Sequence, residues 1–120
     1  MDFSNSKAIY MQIVDYICEQ ILMGNWAEGE RIMSVRDLGL KLEVNPNTVL
    51  RAYDYLQRAD IIANRRGIGY SAVENAKAKI LEMNKKAFIE KEMPKFFQKM
   101  QLLQIDINEV NEFYKKFSNK

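Results

Sequence analysis

Two helix-start signals stand close together in the middle of the chain, at Ser34 and at Asn45-Pro46, and they constrain its fold more than any other feature. The Ser34 hydroxyl is placed to cap the amide of Asp37, whose carboxylate can answer the Ser34 N–H in an acidic variant of the capping box. Asn45 is a favourable N-cap, and Pro46 suits a first helical turn, where a missing N–H costs little. Between the two signals, Val35, Leu38 and Leu42 recur at three- and four-residue spacing and predict a short helix with one apolar side turned inward. Glu43 and Val44 are left to make the turn. Two helices joined so tightly predict a helix-turn-helix.

The helix that Asn45 opens runs to about Arg58. On a wheel of about 100° per residue, Val49, Ala52, Tyr53 and Leu56 share one face, and Asn47, Arg51 and Arg58 fall opposite, flanked by Thr48 and Tyr55. Asn and Arg are the side chains that make bidentate contacts to adenine and guanine edges, and here they occupy the first turns, where a recognition helix meets bases. The plain alternative is a solvent-facing helix. After Asp60, Ile61-Ile62-Ala63 reads as a strand, Asn64-Arg65-Arg66-Gly67 as a turn, and Gly69 to Val73 as a returning strand. Such a hairpin is a wing, whose Arg65 and Arg66 would grip phosphates or enter a minor groove and whose Gly67 would permit a tight tip.

Upstream, Ile9, Ile13, Val14, Ile17 and Ile21 form an apolar stripe on a helix from about Ala8 to Met23, stopped by Gly24. Residues 25–30 read as a turn-rich connection in which Trp26 covers the edge of the core. The charge of +2 hides a segregation: residues 1–30 carry a net −4, residues 31–70 a net +3 and residues 71–120 a net +3. All six arginines lie between Arg31 and Arg66, whereas ten of the twelve lysines follow position 74. Arginine's planar fork suits phosphates and guanine edges, so its confinement to the helix-turn-helix and wing points to nucleic acid.

Beyond about Asn75 the composition becomes that of a Lys-rich helix. Ala76, Ile80, Met83 and Ala87 form one stripe; Met93, Phe96, Phe97, Met100 and Leu103 form another. Pro94 interrupts them and predicts a kink or break near Glu92. Asp106 and Glu109 form a second capping pair, opening a last helix with Ile107, Val110, Phe113, Tyr114 and Phe117 on its apolar positions. So many Phe and Met on two helices cannot all cover one another, which predicts a homodimer through this region; the alternative is that they pack back as ordinary core. A cofactor cavity does not fit, since about 45 residues enclose little against pockets of about 300–1,000 Å³. No cofactor is expected.

The fold predicted is mainly α with a small β-hairpin wing: a winged helix-turn-helix over residues 7–74, followed by a short two-helix dimerisation tail over residues 75–120. Histidine is absent and Cys18 is the one cysteine, so zinc sites and His-based acid–base chemistry are excluded. No nucleophile elbow or phosphate loop is present either, and an enzyme is not expected. Met1 to Lys7 lacks a basic start followed by an apolar stretch, and no run approaches the roughly 18 apolar residues of a membrane span. A cytoplasmic protein is expected.

Four separated motifs, Ala8-Ile-Tyr-Met-Gln-Ile, Gly29-Glu-Arg-Ile-Met-Ser-Val-Arg-Asp-Leu, Val44-Asn-Pro-Asn-Thr-Val and Arg65-Arg-Gly-Ile-Gly-Tyr, resemble in order the GntR family of bacterial transcription regulators. The resemblance covers about residues 7 to 74, and the short tail looks like the YtrA-type subfamily, whose carboxy-terminal part serves dimerisation. It implies a sequence-specific DNA-binding regulator, a repressor acting as a homodimer on an inverted-repeat operator. It also implies DNA-contacting roles for Ser34 and Arg36 at the start of the second helix, for Asn45, Asn47, Thr48 and Arg51 on the recognition helix, and for Gly67 at the wing tip. Two positions depart from the family's pattern. Met33 stands where proline is usual, which loosens the lead-in to the second helix; Leu50 stands where a basic residue is frequent, which removes one DNA contact. Leu50 is also the best support for a different reading, a winged-helix protein-interaction adaptor that does not read DNA. Partners are therefore double-stranded DNA and a second copy of the chain, with no membrane; the sequence identifies no small-molecule effector.

Overall fold

A computed structural model describes residues 7–119, so the amino-terminal stretch through Ser6, read above for a leader signal, lies outside it. The chain orders as α1 (Ile9–Leu22), α2 (Val35–Leu42), α3 (Pro46–Arg58), β1 (Ile62–Arg65), β2 (Gly69–Ala72), α4 (Ala76–Ala87), a π-helical turn (Phe88–Glu92), α5 (Met93–Leu103) and α6 (Ile107–Ser118). It is mostly helical with one antiparallel hairpin, as expected, and it forms two compact units whose boundary falls between Glu82 and Met83.

The first unit is a winged helix-turn-helix. From α1, Ile13, Val14, Ile17, Cys18 and Ile21 are buried; they meet Val49, Ala52, Tyr53 and Leu56 of α3, all four of which are inaccessible to solvent. Those four fix the helix about its own axis. Rolling α3 by one residue would exchange Tyr53 for Asp54 in the core, and an unpaired buried carboxylate costs several kcal/mol. Ile9 is the exception to the predicted stripe. It opens α1 at 45% exposure, while Cys18 and Gln12 are buried in its stead, Gln12 donating to the Lys7 carbonyl at 2.8 Å. Trp26 does sit half-buried at the edge of the core, edge-to-face with Tyr16.

Ser34 Oγ accepts from the Asp37 N–H at 3.0 Å, the forward half of the expected capping box; the return bond from Ser34 N–H to the Asp37 carboxylate is not formed. Glu43, in a left-handed conformation with φ 57°, closes α2, and the Val44 N–H bonds back to the Gly39 carbonyl at 3.0 Å. This tight reversal needs Gly39. A Cβ there would meet the Val44 oxygen at 3.1 Å and Pro46 at 3.6 Å, so a larger residue would push α2 off α3. Asn45 Oδ1 then accepts from the Asn47 N–H at 2.8 Å to start α3.

The wing differs from its sequence reading in two respects. Asn64 and Arg65, assigned to the turn, continue β1: the register runs Ile62↔Ala72, Ala63↔Ser71, Asn64↔Tyr70, Arg65↔Gly69, leaving Arg66-Gly67-Ile68 as a three-residue connection. Gly67 there adopts φ 81°, and that positive dihedral helps the connection begin two residues later than expected. Gly29 and Glu30, which end the connection expected over residues 25–30, pair together with Arg31 and Ile32 along the outer edge of β2. The Ile32 N–H donates to the Tyr70 carbonyl at 2.9 Å, the Gly29 N–H to the Ala72 carbonyl at 2.9 Å, and the Ala72 N–H to the Glu30 carbonyl at 3.1 Å. This bridging segment covers an edge that a bare hairpin would expose. The start of α4 closes the unit: Ala76 and Ile80 are buried, the Lys77 N–H donates to Glu28 Oε2 at 3.1 Å, and Lys79 donates to the Asp60 carbonyl at 3.2 Å.

In the second unit, Pro94 does not break the helix. It cannot donate to the preceding turn, and the backbone absorbs the missing bond by widening into the π-helical turn (Phe88–Glu92) that leads directly into α5 (Met93–Leu103). Asp106 and Glu109 form the reciprocal capping box expected of them, at 2.9 and 3.1 Å. Phe96, Met100, Leu103, Ile105, Val110 and Phe113 line an apolar hollow of about 290 Å³ between α5 and α6.

Candidate nucleic-acid interface

The outward side of α3 follows from its inward side. With Val49, Ala52, Tyr53 and Leu56 held in the core, Asn47, Arg51 and Arg58 are exposed on the opposite face, Tyr55 is exposed and Thr48 is half-buried beside them. No acidic residue lies in the first turn of α3, so the partial positive charge of its N-terminus is not cancelled locally. Leu50 is 41% exposed on the flank of α3 and offers no hydrogen-bonding group.

Ser34 and Asn45 each use a side-chain oxygen to cap a helix, so their remaining donor groups are oriented by the cap itself. Arg36 is exposed in the first turn of α2, along an open groove that continues past Leu40, Glu43 and Pro46. Arg65 ends β1, and Arg66 and Gly67 form the exposed tip of the wing. The sequence-predicted residues thus occupy three places in one unit: the start of α2, the first half of α3 and the wing.

The wing is tied to α3 through the buried Tyr53 and the half-buried Tyr70. The rings of Tyr53 and Tyr70 meet edge-to-face with centroids 4.8 Å apart, and the Tyr53 hydroxyl donates to the Met33 carbonyl. One side chain of α3 therefore holds both β2 and the residue just before the Ser34 cap. The loosening expected from Met33 is countered in this way, because a backbone carbonyl accepts whatever side chain follows it. Burial, with smaller contributions from Tyr70 and Asp37, drives the Tyr53 phenol well above its ordinary pKa, and burial with Asp54 raises that of Tyr70. Burial, helped by Asp15, pushes the Cys18 thiol up to about 12, which leaves it an inert packing group.

All six arginines are exposed, and among the described residues none is held in an ion pair. Arg31 was not singled out in the sequence. It bridges to Ser71 at the edge of β2 with its guanidinium across Gly69, where a Cβ would stand 3.5 Å from Nε, so it joins Arg65 on the solvent side of the wing. The signal that could have found it is the pairing of residues 29–32, which is not local. Arg51 is not free in solvent either: its Cζ stands 4.0 Å from the centroid of the Tyr10 ring. Among the described residues no group of three or more Cys, Asp and Glu could hold a metal ion, and no helix is long and apolar enough to cross a membrane.

Comparison with known proteins bears on this arrangement. Residues 9–71 match the family of bacterial regulatory proteins designated gntR. The chain is 33% identical to the HTH-type transcriptional regulator YhcF of Bacillus subtilis, over 97% of its own length and 94% of that protein. It is 32% identical to the HTH-type transcriptional repressor YtrA of the same organism, over 98% and 90% respectively. Among solved structures, a transcriptional regulator of the GntR family from Bacteroides thetaiotaomicron superposes with a TM-score of 0.85 at 41% identity, covering 93% of this chain and 97% of that one.

Proposed function

The chain belongs to the GntR family of bacterial regulatory proteins, and from that premise we propose that it is a homodimeric repressor that reads an inverted-repeat operator. Its winged helix-turn-helix is the family's DNA-binding module, which makes it a transcriptional regulator and not an enzyme. The observation that carries the finer reading is the outward face of α3, where Asn47 and Arg51 project from an acid-free helix start that four buried anchors hold in one orientation. In this proposal residues 7–74 bind DNA in the cytoplasm. Asn47, Thr48 and Arg51 meet base edges, Ser34, Arg36 and Asn45 fix the two helix starts against phosphates, and Arg65, Arg66 and Gly67 bring the wing to the backbone or minor groove.

Residues 75–120 dimerise. Leu103, Phe113 and Phe117 are 63%, 67% and 72% exposed in the single chain, beside an apolar hollow, and a second copy is the simplest complement to such a surface. Two-fold symmetry would then set the recognition helices about one turn of DNA, or a multiple of it, apart. Repression is supported by the relative YtrA, which is named as a transcriptional repressor.

Selection of bound duplexes from a random pool tests the reading, with a palindromic site as the expected product; a pool that never enriches would refute it. On the recovered site, Arg51→Ala should cost about 1–3 kcal/mol and relax base preference, whereas Arg66→Ala should weaken all sequences alike. Equal losses on cognate and random duplexes for both variants would reject that division of roles.

A further inference from the structure

We infer that Tyr10 is a positioning residue for DNA reading, its ring serving as a platform that holds Arg51 ready for a base edge. The inference rests on the DNA-reading role proposed for Arg51 and adds a residue from a different helix. Tyr10 lies in the first turn of α1 and is half-buried, and α1 packs directly on α3. The Arg51 Cζ stands 4.0 Å from the ring centroid, well inside the range of about 6 Å over which a guanidinium is attracted to an aromatic face. Tyr10 and Arg51 line an open cleft with Asp54, Tyr55 and Arg58.

What makes the contact functional in character is the geometry of a guanidinium. Its N–H groups point outward in its own plane, so a guanidinium resting on an aromatic face keeps them available for bidentate bonding. Among the described residues Arg51 donates no hydrogen bond and forms no ion pair, and the neighbouring Asp54 carboxylate does not capture it. A long side chain normally loses much of its rotamer freedom when it binds. The ring removes part of that freedom beforehand while leaving the donors free.

The test is a double-mutant cycle on the full chain, titrating the palindromic duplex recovered from the random pool and a scrambled duplex of the same length. Tyr10→Leu should weaken cognate binding about two- to fivefold, the range that an exposed cation–π contact implies, and change scrambled binding less. Tyr10→Phe, which keeps the ring, should restore cognate binding. In an Arg51→Ala background, Tyr10→Leu should add nothing, because the group it positions is gone. If the losses from Tyr10→Leu and Arg51→Ala multiply, or if Tyr10→Phe binds like Tyr10→Leu, the inference is overturned while the DNA-reading role stands. An unaltered affinity in Arg51→Ala overturns it too, and failure of the wild type to enrich any site removes the reading beneath it. Should Tyr10→Leu not fold, as judged by its circular dichroism, Tyr10→Met takes its place in the same cycle.

Discussion

Replacing Tyr53 by Phe removes one oxygen from the point where α3, the wing and the lead-in to α2 are joined. The ring stays, and with it the edge-to-face contact to Tyr70 at 4.8 Å; what goes is the donor to the Met33 carbonyl. A net hydrogen bond is worth about 0.5–1.5 kcal/mol, and a carbonyl left half-buried without its partner adds part of a desolvation cost, giving about 1–2 kcal/mol in all. For a cooperative unit of this size that corresponds to about 5–10 °C in melting temperature at pH 7. The same substitution has a second signature at alkaline pH. Because burial raises the folded-state pKa of Tyr53 above its value in the unfolded chain, its contribution to stability is complete below about pH 10. Above that, stability falls by up to about 1.4 kcal/mol per pH unit as the unfolded phenol ionises first. Tyr53→Phe should therefore be less stable than wild type at pH 7 but lose less between pH 10 and 11. Tyr70 and Cys18, whose pKa values are also raised by burial, mean that the variant still loses some stability over that range. Urea unfolding followed by circular dichroism at pH 7, 10 and 11 measures both effects. Equal stability at pH 7, or parallel alkaline slopes, would show that the Tyr53 hydroxyl does not join these elements as described.

Two further outcomes follow from the same packing. With its pKa pushed up to about 12 from 9.0, Cys18 should carry about a thousandfold less thiolate at pH 8 than an ordinary thiol, so a thiol-specific reagent should label it only as fast as the chain unfolds in urea. Labelling of the native protein at the rate of a free cysteine would contradict that burial. In the tail, Phe113→Glu sets a charge at the rim of the apolar hollow on a residue 67% exposed in the single chain, which should leave the monomer folded but shift a dimer of twice 14.1 kDa toward monomer in sedimentation velocity. A variant that sediments like wild type would remove this face from the proposed dimer.

What could be read from the sequence was local chemistry. The caps at Ser34, Asn45 and Asp106 were legible because donor and acceptor lie two or three residues apart and leave the chain little choice. The wheel of α3 was legible for a related reason: four apolar positions at helical spacing have one way to be buried together. Features that depend on distant parts of the chain were not. The pairing of residues 29–32 with β2 joins segments some forty positions apart, and nothing in Gly29 to Ile32 alternates strongly enough to announce a strand. The wing turn is expected too early because Arg65 and Arg66 look alike in sequence, whereas the positive φ angles of Gly67 and Gly69 decide where the chain reverses. Pro94 showed which hydrogen bond had to be lost, but not that the helix would widen to absorb it. At the candidate site, the exposure of Arg51 was legible and its resting place on Tyr10 was not, since that contact depends on how α1 crosses α3.

The distribution of charge gains its meaning from these contacts. Each of the three ion pairs among the described residues uses a lysine: Lys7 with Asp15, Lys79 with Asp60 and Lys115 with Glu112. The arginines of the first unit, by contrast, are all left unpaired on its surface. A carboxylate on the outward side of α3 would repel phosphate, and the first one there is Asp54, beyond Asn47 and Arg51 and more than two turns from the Asn45 cap. In the proposed complex this gradient tilts the helix. Its N-terminal half, with the exposed amides and Arg51, enters the groove, while Asp54 holds the C-terminal half back from the backbone. Asp54→Asn should accordingly strengthen binding to scrambled and cognate duplexes by similar factors, since it removes a repulsion that carries no base information. A gain confined to the cognate duplex would place Asp54 at a base edge and require a deeper insertion of α3 than this polarity implies.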